Sequence, residues 1–477
     1  MRFIFPSKSD FPVFLSLLAC FLFLLYLACT TQMIIVHDAI GYQASGKIIY
    51  EGGMKAYLSG TLKREPYFPI LIALSMYLAD ILHCHFYTTL VFLNFLSLIL
   101  SIFLTLYILK SLRVPNFLSA LILLYIGFSP AIITVTFGLF SEIDVLPLIM
   151  LTVLLYKRTL NSIFNQKPHL FFFSLLFSLF LIIVTLARAV FELIIPFLLL
   201  TPCLLVWSVP KEKRKAVWKP LVVFLLITAC LSFSGLFCYK LLNKKMNNHF
   251  AITNRGAFAL YGNTARRVLP RTPKQLASAL AHAPDLGLCP RLFPAEDCAF
   301  WGYRISDDLS KAKEASLIQK GLEPDAINSA FIRLSIKKIL KNPGQFVYLY
   351  FVEILKMFSW EGTNIGSLSY PKWLERIYKF YPFSLSIGLF VLLSSLISFF
   401  ACFQFLFKNK ERLTERSDCL WLIAIFSLMA PYILLHAFFL VLKRYAVPIA
   451  PLYLIMIGFT LSRINHQTTD FNKTPIP

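Results

Sequence analysis

Three polar segments stand out against a very apolar chain. The first reads VHDAIGYQASGKIIYEGG and runs on to KREPYFPILIAL. Asp38 lies about two turns past the first apolar run, at the edge of the apolar phase. A carboxylate there is available as a general base for an acceptor hydroxyl, which must lose its proton as it attacks. The same residue type also caps helix starts. His37 precedes it, and Gly41, Ala44, Ser45 and Gly46 follow at spacings that suit close helix packing. Lys63 and Arg64, just before Pro66, add a cationic pair. The second segment is FSEIDVLPL, with Glu142 and Asp144 at the edge of an apolar run. An acid at a membrane-helix centre costs ~2.5–3.5 kcal/mol on insertion scales, so such residues are functional candidates by default. Two apart, they cannot share one helix face. One can orient an acceptor while the other caps a helix or faces water. The third segment is LKRYAVPIAPL. Lys443 and Arg444 open the last apolar run on the side opposite the other basic clusters. Arg444 can fork onto a phosphate, with Tyr445 adding a hydrogen bond, or snorkel to the interface. Arg188 and Glu192, one turn apart, are expected to pair with each other.

These residues need a frame, and composition supplies it. The chain has 477 residues, 58% hydrophobic and 15% charged, and its mean hydropathy is +0.70. A soluble domain has about 25% charged residues. The excess falls into separate runs near 11–30, 67–83, 86–109, 117–136, 140–156, 169–187, 189–208, 220–239, 343–360, 382–407, 419–441 and 446–462. Each is a candidate for crossing ~30 Å of hydrocarbon. The first run is too long for a signal-peptide core, and Cys29-Thr30-Thr31 is a poor cleavage site, so it reads as an uncleaved helix. Five basic clusters arbitrate the topology: Arg2 and Lys8; Lys110 and Arg113; Lys157, Arg158 and Lys167; residues 211–215; and residues 408–416. If 67–83 and 343–360 do not fully cross, all five fall on the cytoplasmic side. Roughly ten crossings then remain, with both termini inside; a twelve-crossing arrangement stays open. The expected fold is therefore an all-α polytopic bundle of about 10–12 transmembrane helices. Its parts are an N-terminal module 1–240 with a first outer loop 31–66, an outer insert 241–342, a C-terminal module 343–463 and a tail 464–477. Helical patterns appear in the insert near 305–319 and 325–340. The polar segments all reach the outer face.

The net charge of +22 reads as positive-inside loops and contacts to anionic lipids, and no nucleic-acid motif accompanies it. There is no P-loop, HExxH, GxSxG or dinucleotide fingerprint. Six cysteines (Cys20, Cys29, Cys203, Cys230, Cys238, Cys402) sit in apolar runs, where Cys acts as a small hydrophobe. Cys84 between His83 and His85 suggests a metal by type, but neighbours on a helix point to different faces. Cys289 and Cys298 are the only cysteines of the insert. They are a disulfide candidate if the insert is outside, and free thiols if it is cytoplasmic.

Taken in order, these segments resemble the GT-C glycosyltransferase superfamily, nearest the protein mannosyltransferase and aminoarabinose transferase branch. The resemblance rests on Asp38 in the first outer loop, KREPYFP, the acid in SEIDVLPL, LARAVFELIIPF, the stretch NPGQFVYLYFVEILKMFSW and the closing RYAVPIAP. It covers most of 10–205 and 340–462. It implies inverting transfer of one sugar from a polyprenyl phosphate to a lipid, glycan or protein acceptor, outside a bacterial inner (plasma) membrane. Asp38 would be the base. Arg444, Tyr445, Lys63 and Arg64 would hold the leaving phosphate, and Glu142, Asp144 or His37 would orient the acceptor. The first loop reads HDA, not a paired acidic motif, which leaves a divalent metal open; Glu65 also departs from the usual pattern. A transporter or flippase, and a lipid-linked polysaccharide polymerase or ligase, are the alternatives.

Overall fold

A computed structural model describes residues 10–60, 64–253, 255–284, 286–362 and 367–471. The apolar runs become helices. They begin with α1 (Phe11–Thr30), α2 (Asp38–Leu58), α3 (Tyr67–Leu82), α4 (Phe86–Ser111), α5 (Asn116–Phe128) and α6 (Pro130–Phe137). Between α5 and α6 the axis bends by 49°. Pro130 cannot continue the α5 ladder, and Ser129 restarts it by accepting from the Ile132 amide. Then come α7 (Glu142–Phe164), α8 (Leu170–Ala187), α9 (Phe191–Leu205) and the 37-residue α10 (Lys211–Asn247). At 1.5 Å per residue α10 is about 55 Å long, well beyond one hydrocarbon thickness. Position 240 therefore lies inside a helix and is not a domain edge.

The insert folds as α11 (Arg255–Arg267), α12 (Pro273–His282), α13 (Cys289–Leu292), α14 (Ala295–Phe300), α15 (Tyr303–Gln319) and α16 (Pro324–Lys341). It is followed by α17 (Pro343–Phe358), α18 (Lys372–Lys379), α19 (Tyr381–Lys408), α20 (Ser417–Phe439) and α21 (Ala450–Phe471). A two-residue antiparallel pairing, β1 (Gln32–Met33) with β2 (Leu368–Ser369), ties the first outer loop to the chain before α18.

Among the described residues, eight helices are long and apolar enough to cross a membrane, or nine with the bent α5–α6 pair counted as one span. The chain is thus a polytopic helical membrane protein. The count falls below the expected ten to twelve for three reasons. α3 and α17 have 16 residues each, and α17 carries buried Glu353 and Lys356. α7 has the length, 23 residues, but Glu142, Asp144, Lys157 and Arg158 interrupt its apolar character. Burial ranks the helices: α1, α10 and α19 bury 28% of their apolar window, against 83% for the closing span that contains α21. The first three ring the bundle and present side chains such as Phe14, Leu226 and Phe400 outward, as lipid-facing helices must.

The basic clusters gather at one end. Lys110 pairs with Asp10 (2.8 Å), Lys213 lies 3.9 Å from Glu415, and Asn165 donates to the Thr414 carbonyl (3.2 Å). Arg2 and Lys8 lie outside the described residues. Asp38, Glu142 and Arg188 meet at the opposite end, together with the insert.

In the insert, α11 packs on α15 and α16 around Tyr261, Ala265, Leu317, Ile327 and Phe331. Buried Arg266 donates to Glu353 on α17 and to Asn263 (both 2.8 Å), while Gln345 donates to the Arg267 and Leu269 carbonyls (2.6 Å each). These bonds dock the insert onto the C-terminal helices. At Gly262 an added Cβ would lie 2.2 Å from the Ser306 carbonyl oxygen, a backbone atom that cannot rotate away. Gly262→Ala should therefore cost about 1–3 kcal/mol, as overpacked contacts do, read as a lowered unfolding midpoint of the solubilised protein. An unchanged midpoint would mean that α11 and α15 are not packed this closely.

Cys289 and Cys298 are joined in a disulfide with Cα atoms 5.8 Å apart. The loop it closes is short, so chain entropy assigns it about 2.5 kcal/mol. Mass mapping of non-reduced peptides should recover the 289–298 cross-link. Recovery of both residues as free thiols from native membranes would exclude it.

Candidate functional site

Asp38 is the first residue of α2, and its carboxylate does not cap the helix. It stands between two guanidiniums. Arg64 Nη2 donates to Oδ1 at 2.7 Å, and Arg444 Nη2 donates to Oδ2. A third guanidinium, Arg255 at the start of α11, lies 3.9 Å from Oδ1. Burial alone would raise this carboxyl, but Arg444 and Arg64 outweigh it and hold Asp38 well below the usual carboxylate range.

Local sequence explains each placement. Gly41 sits one turn after Asp38, and a Cβ there would lie 3.0 Å from Arg64 Nη2; the missing side chain is the slot through which Arg64 reaches. Arg64 also lies over the Tyr42 ring, 4.4 Å from its centre. The Tyr42 hydroxyl is 3.2 Å from Ser141 Oγ, which joins α2 to the turn before α7. Arg444 belongs to a tight helical segment, Lys443–Ile449, whose Pro448 prevents an ordinary α-helical start. Tyr432 Oη pins it by donating to the Tyr445 carbonyl at 2.8 Å.

The network continues inward. Arg444 Nε lies 3.5 Å from Glu142 Oε1, and the same oxygen pairs with Arg188 Nη2 at 2.6 Å. Arg188 in turn lies over Tyr445, 5.3 Å from the ring centre. The order Arg64–Asp38–Arg444–Glu142–Arg188 alternates in sign. With Arg255 included, four guanidiniums gather around Asp38 and Glu142. Beside them is a cavity of about 260 Å³ lined by Tyr42, Arg64, Arg188, Arg255, Tyr303 and Arg444 among others. Glu65, Glu192 and Asp307 also line it, Glu192 paired with Lys240 and Asp307 with Lys311. A cluster of guanidiniums at a concave site suits a phosphate, whose oxygens accept paired N–H bonds. Closing of the cavity by Arg255 and Tyr303 makes the insert part of the site.

Of the residues singled out in the sequence, Asp38, Arg64, Glu142, Arg444 and Tyr445 come together. His37 does not. It is exposed, in a left-handed turn (φ 51°), with its side chain outside the cavity. Asp144 points to the other side of α7, where Ser97 Oγ donates to it at 2.9 Å. It is buried there, away from water and outside the cavity lining. Lys63 lies outside the described residues. Arg188 and Glu192 do not pair: Arg188 takes Glu142, and Glu192 takes Lys240 on α10. Among the described residues no group of three or more His, Cys, Asp or Glu comes together to hold a metal. Arg255, Tyr303 and the buried His436 are members of the site that sequence reasoning passed over. Only His436 carried a signal, being a histidine in the apolar run just before Arg444. No protein-family model matches the chain, and no curated protein matches it.

Proposed function

We propose that this chain is an integral membrane glycosyltransferase of the GT-C kind, using a polyprenyl-phosphate-linked sugar and an acceptor on the extracytoplasmic side. The observation that carries the reading is Asp38 held between Arg64 and Arg444 beside a cavity lined by four guanidiniums. In the proposed step, an acceptor hydroxyl oxygen attacks the anomeric carbon from the face opposite the phosphate. Its proton passes to Asp38. The bond from the anomeric carbon to the phosphate oxygen breaks, and the electron pair leaves with the polyprenyl phosphate. The configuration inverts. Arg444, Arg64 and Arg255 stabilise charge growing on that oxygen.

The donor would also prepare the base. A phosphate drawn into the cavity competes with Asp38 for the same guanidiniums. As it wins them, the carboxylate loses the interactions that hold its proton affinity down. The ten-crossing topology, with α7 as a span and α3 and α17 at the outer surface, sets this end opposite the basic loops and therefore outside. The gathering of charge at one end favours transfer over transport, which calls for groups near mid-membrane.

The test compares the envelope lipids, glycans and glycoproteins of cells lacking the chain with those of cells complemented by it. One species should lose a single sugar, and wild-type protein should restore it. If every species is intact while movement of a lipid or solute across the membrane is lost, the transferase reading falls and transport stands.

A further inference from the structure

At the opposite end of the bundle, the C-terminus of α4, the start of α20 and the end of the last described turns of α21 meet around a second polar cavity of about 610 Å³. Arg113, Arg416 and Arg463 line it with Asp418, Ser111 and Ser462. Asp418 is saturated. Arg416 forks onto it (Nε–Oδ1 3.0 Å, Nη2–Oδ2 2.6 Å), Arg463 Nη2 reaches Oδ2 at 2.7 Å, and the Cys419 amide donates to Oδ1 at 2.9 Å. Three guanidiniums thus face one carboxylate. Arg113 is exposed and has no ion-pair partner among the described residues.

The backbone at Arg113 adds a second observation. Arg113 follows the last turn of α4 with φ 59°. Its amide donates to the Lys110 carbonyl, and the Val114 amide donates to the Leu109 carbonyl. This is the helix-ending turn whose left-handed position Gly fills at least strain. Here an arginine fills it instead, on the cavity wall. The third observation is the aromatic backing of two of these guanidiniums. Arg416 and Arg463 lie over Phe405, 5.3 and 5.1 Å from the ring centre, and Arg463 also lies over Phe459. Phe403 and Phe407, one turn apart, are exposed on the other face of α19.

We propose that this cavity binds the phosphate headgroup of an anionic membrane phospholipid. Guanidiniums supply N–H pairs to the phosphodiester oxygens, and the cavity is open to the end of the bundle where basic residues concentrate. Basic pockets between membrane helices recognise anionic headgroups through this chemistry. The site is separate from the Asp38 site and does not depend on the reading of that site.

The variant Arg113→Gly tests it without threatening the fold, because glycine suits the left-handed position. The purified protein is placed in phosphatidylcholine nanodiscs with and without phosphatidylglycerol, then released and weighed by native mass spectrometry. Wild type should retain phosphatidylglycerol. Arg113→Gly and Arg463→Gln should each lower retention about fivefold, the share expected of one basic residue near an anionic lipid, with unfolding midpoints of the lipid-free protein unchanged or, for Arg113→Gly, raised. Arg444→Ala, at the other end, should retain the lipid as wild type does. Equal retention by wild type and the Arg113→Gly/Arg463→Gln double variant would overturn the site. Displacement of the lipid by inorganic phosphate at low millimolar concentration would overturn the lipid assignment in favour of a free anion.

Discussion

Asp38→Asn should lower sugar transfer by at least ~10²-fold, the typical share of a general base, while the protein still inserts and purifies. The amide keeps the volume. Arg64 keeps its place over Tyr42, and Arg444 keeps Glu142 and Phe140. The variant should also bind the polyprenyl-phosphate donor at least as tightly as wild type, because the carboxylate no longer competes for the two guanidiniums. A fall in kcat with a constant or lower donor KM is the signature of this arrangement. A merely structural Asp38 would weaken binding and rate together. The pH dependence carries a second signature. A base works deprotonated, so the rate falls as pH drops through its pKa. In the free protein Arg444 and Arg64 hold Asp38 below the ordinary carboxylate range, and the acid limb of kcat/KM should lie below pH ~4. Once the donor phosphate has taken the guanidiniums, the limb of kcat should sit at higher pH. Transfer by Asp38→Asn at the wild-type rate would remove Asp38 from the chemistry.

How far the sequence could be read depended on whether a feature was local. The helices of the insert expected at 305–319 and 325–340 are found as Tyr303–Gln319 and Pro324–Lys341, because amphipathic period and flanking Gly and Pro are local signals. Arg444 was legible because a cation on the side opposite the other basic clusters demands a partner. Its partners were not, since Asp38 and Glu142 lie 406 and about 300 positions away. The expected Arg188–Glu192 pair failed for a backbone reason. Arg188 ends α8 in an extended conformation (φ −147°, ψ 104°), so the two residues do not share one helix face. Helical spacing did show that Glu142 and Asp144 must diverge. Which of them faces the site was decided by where α4 packs, and that is a property of the bundle. Arg255 was invisible because it sits in the insert, where nothing local distinguishes it from any solvated arginine.

Arg444 is where the two ends of the charged network join, and its replacement should have the other large effect. Arg444→Lys keeps the charge but cannot reach Asp38 through one nitrogen and Glu142 through another, as the guanidinium does. Donor KM should rise by at least ~10-fold in Arg444→Lys, and kcat should fall ~10²–10³-fold in Arg444→Ala, the usual loss when one donor to a developing oxyanion is removed. The fold should survive, because Tyr432 still pins the Tyr445 carbonyl and Arg188 still neutralises Glu142. Unchanged donor affinity in Arg444→Ala would eliminate the phosphate role. The double variant Asp38→Asn/Arg444→Ala then separates chemistry from charge balance. Each single change removes the Asp38–Arg444 contact and shifts the local charge by one, although Asp38 keeps Arg64 and Arg444 keeps Glu142; the double change restores the net charge. If the pair serves only to hold α2 against the segment before α21, stability and activity should recover together. If Asp38 takes the proton and Arg444 holds the phosphate, stability should recover and transfer should not.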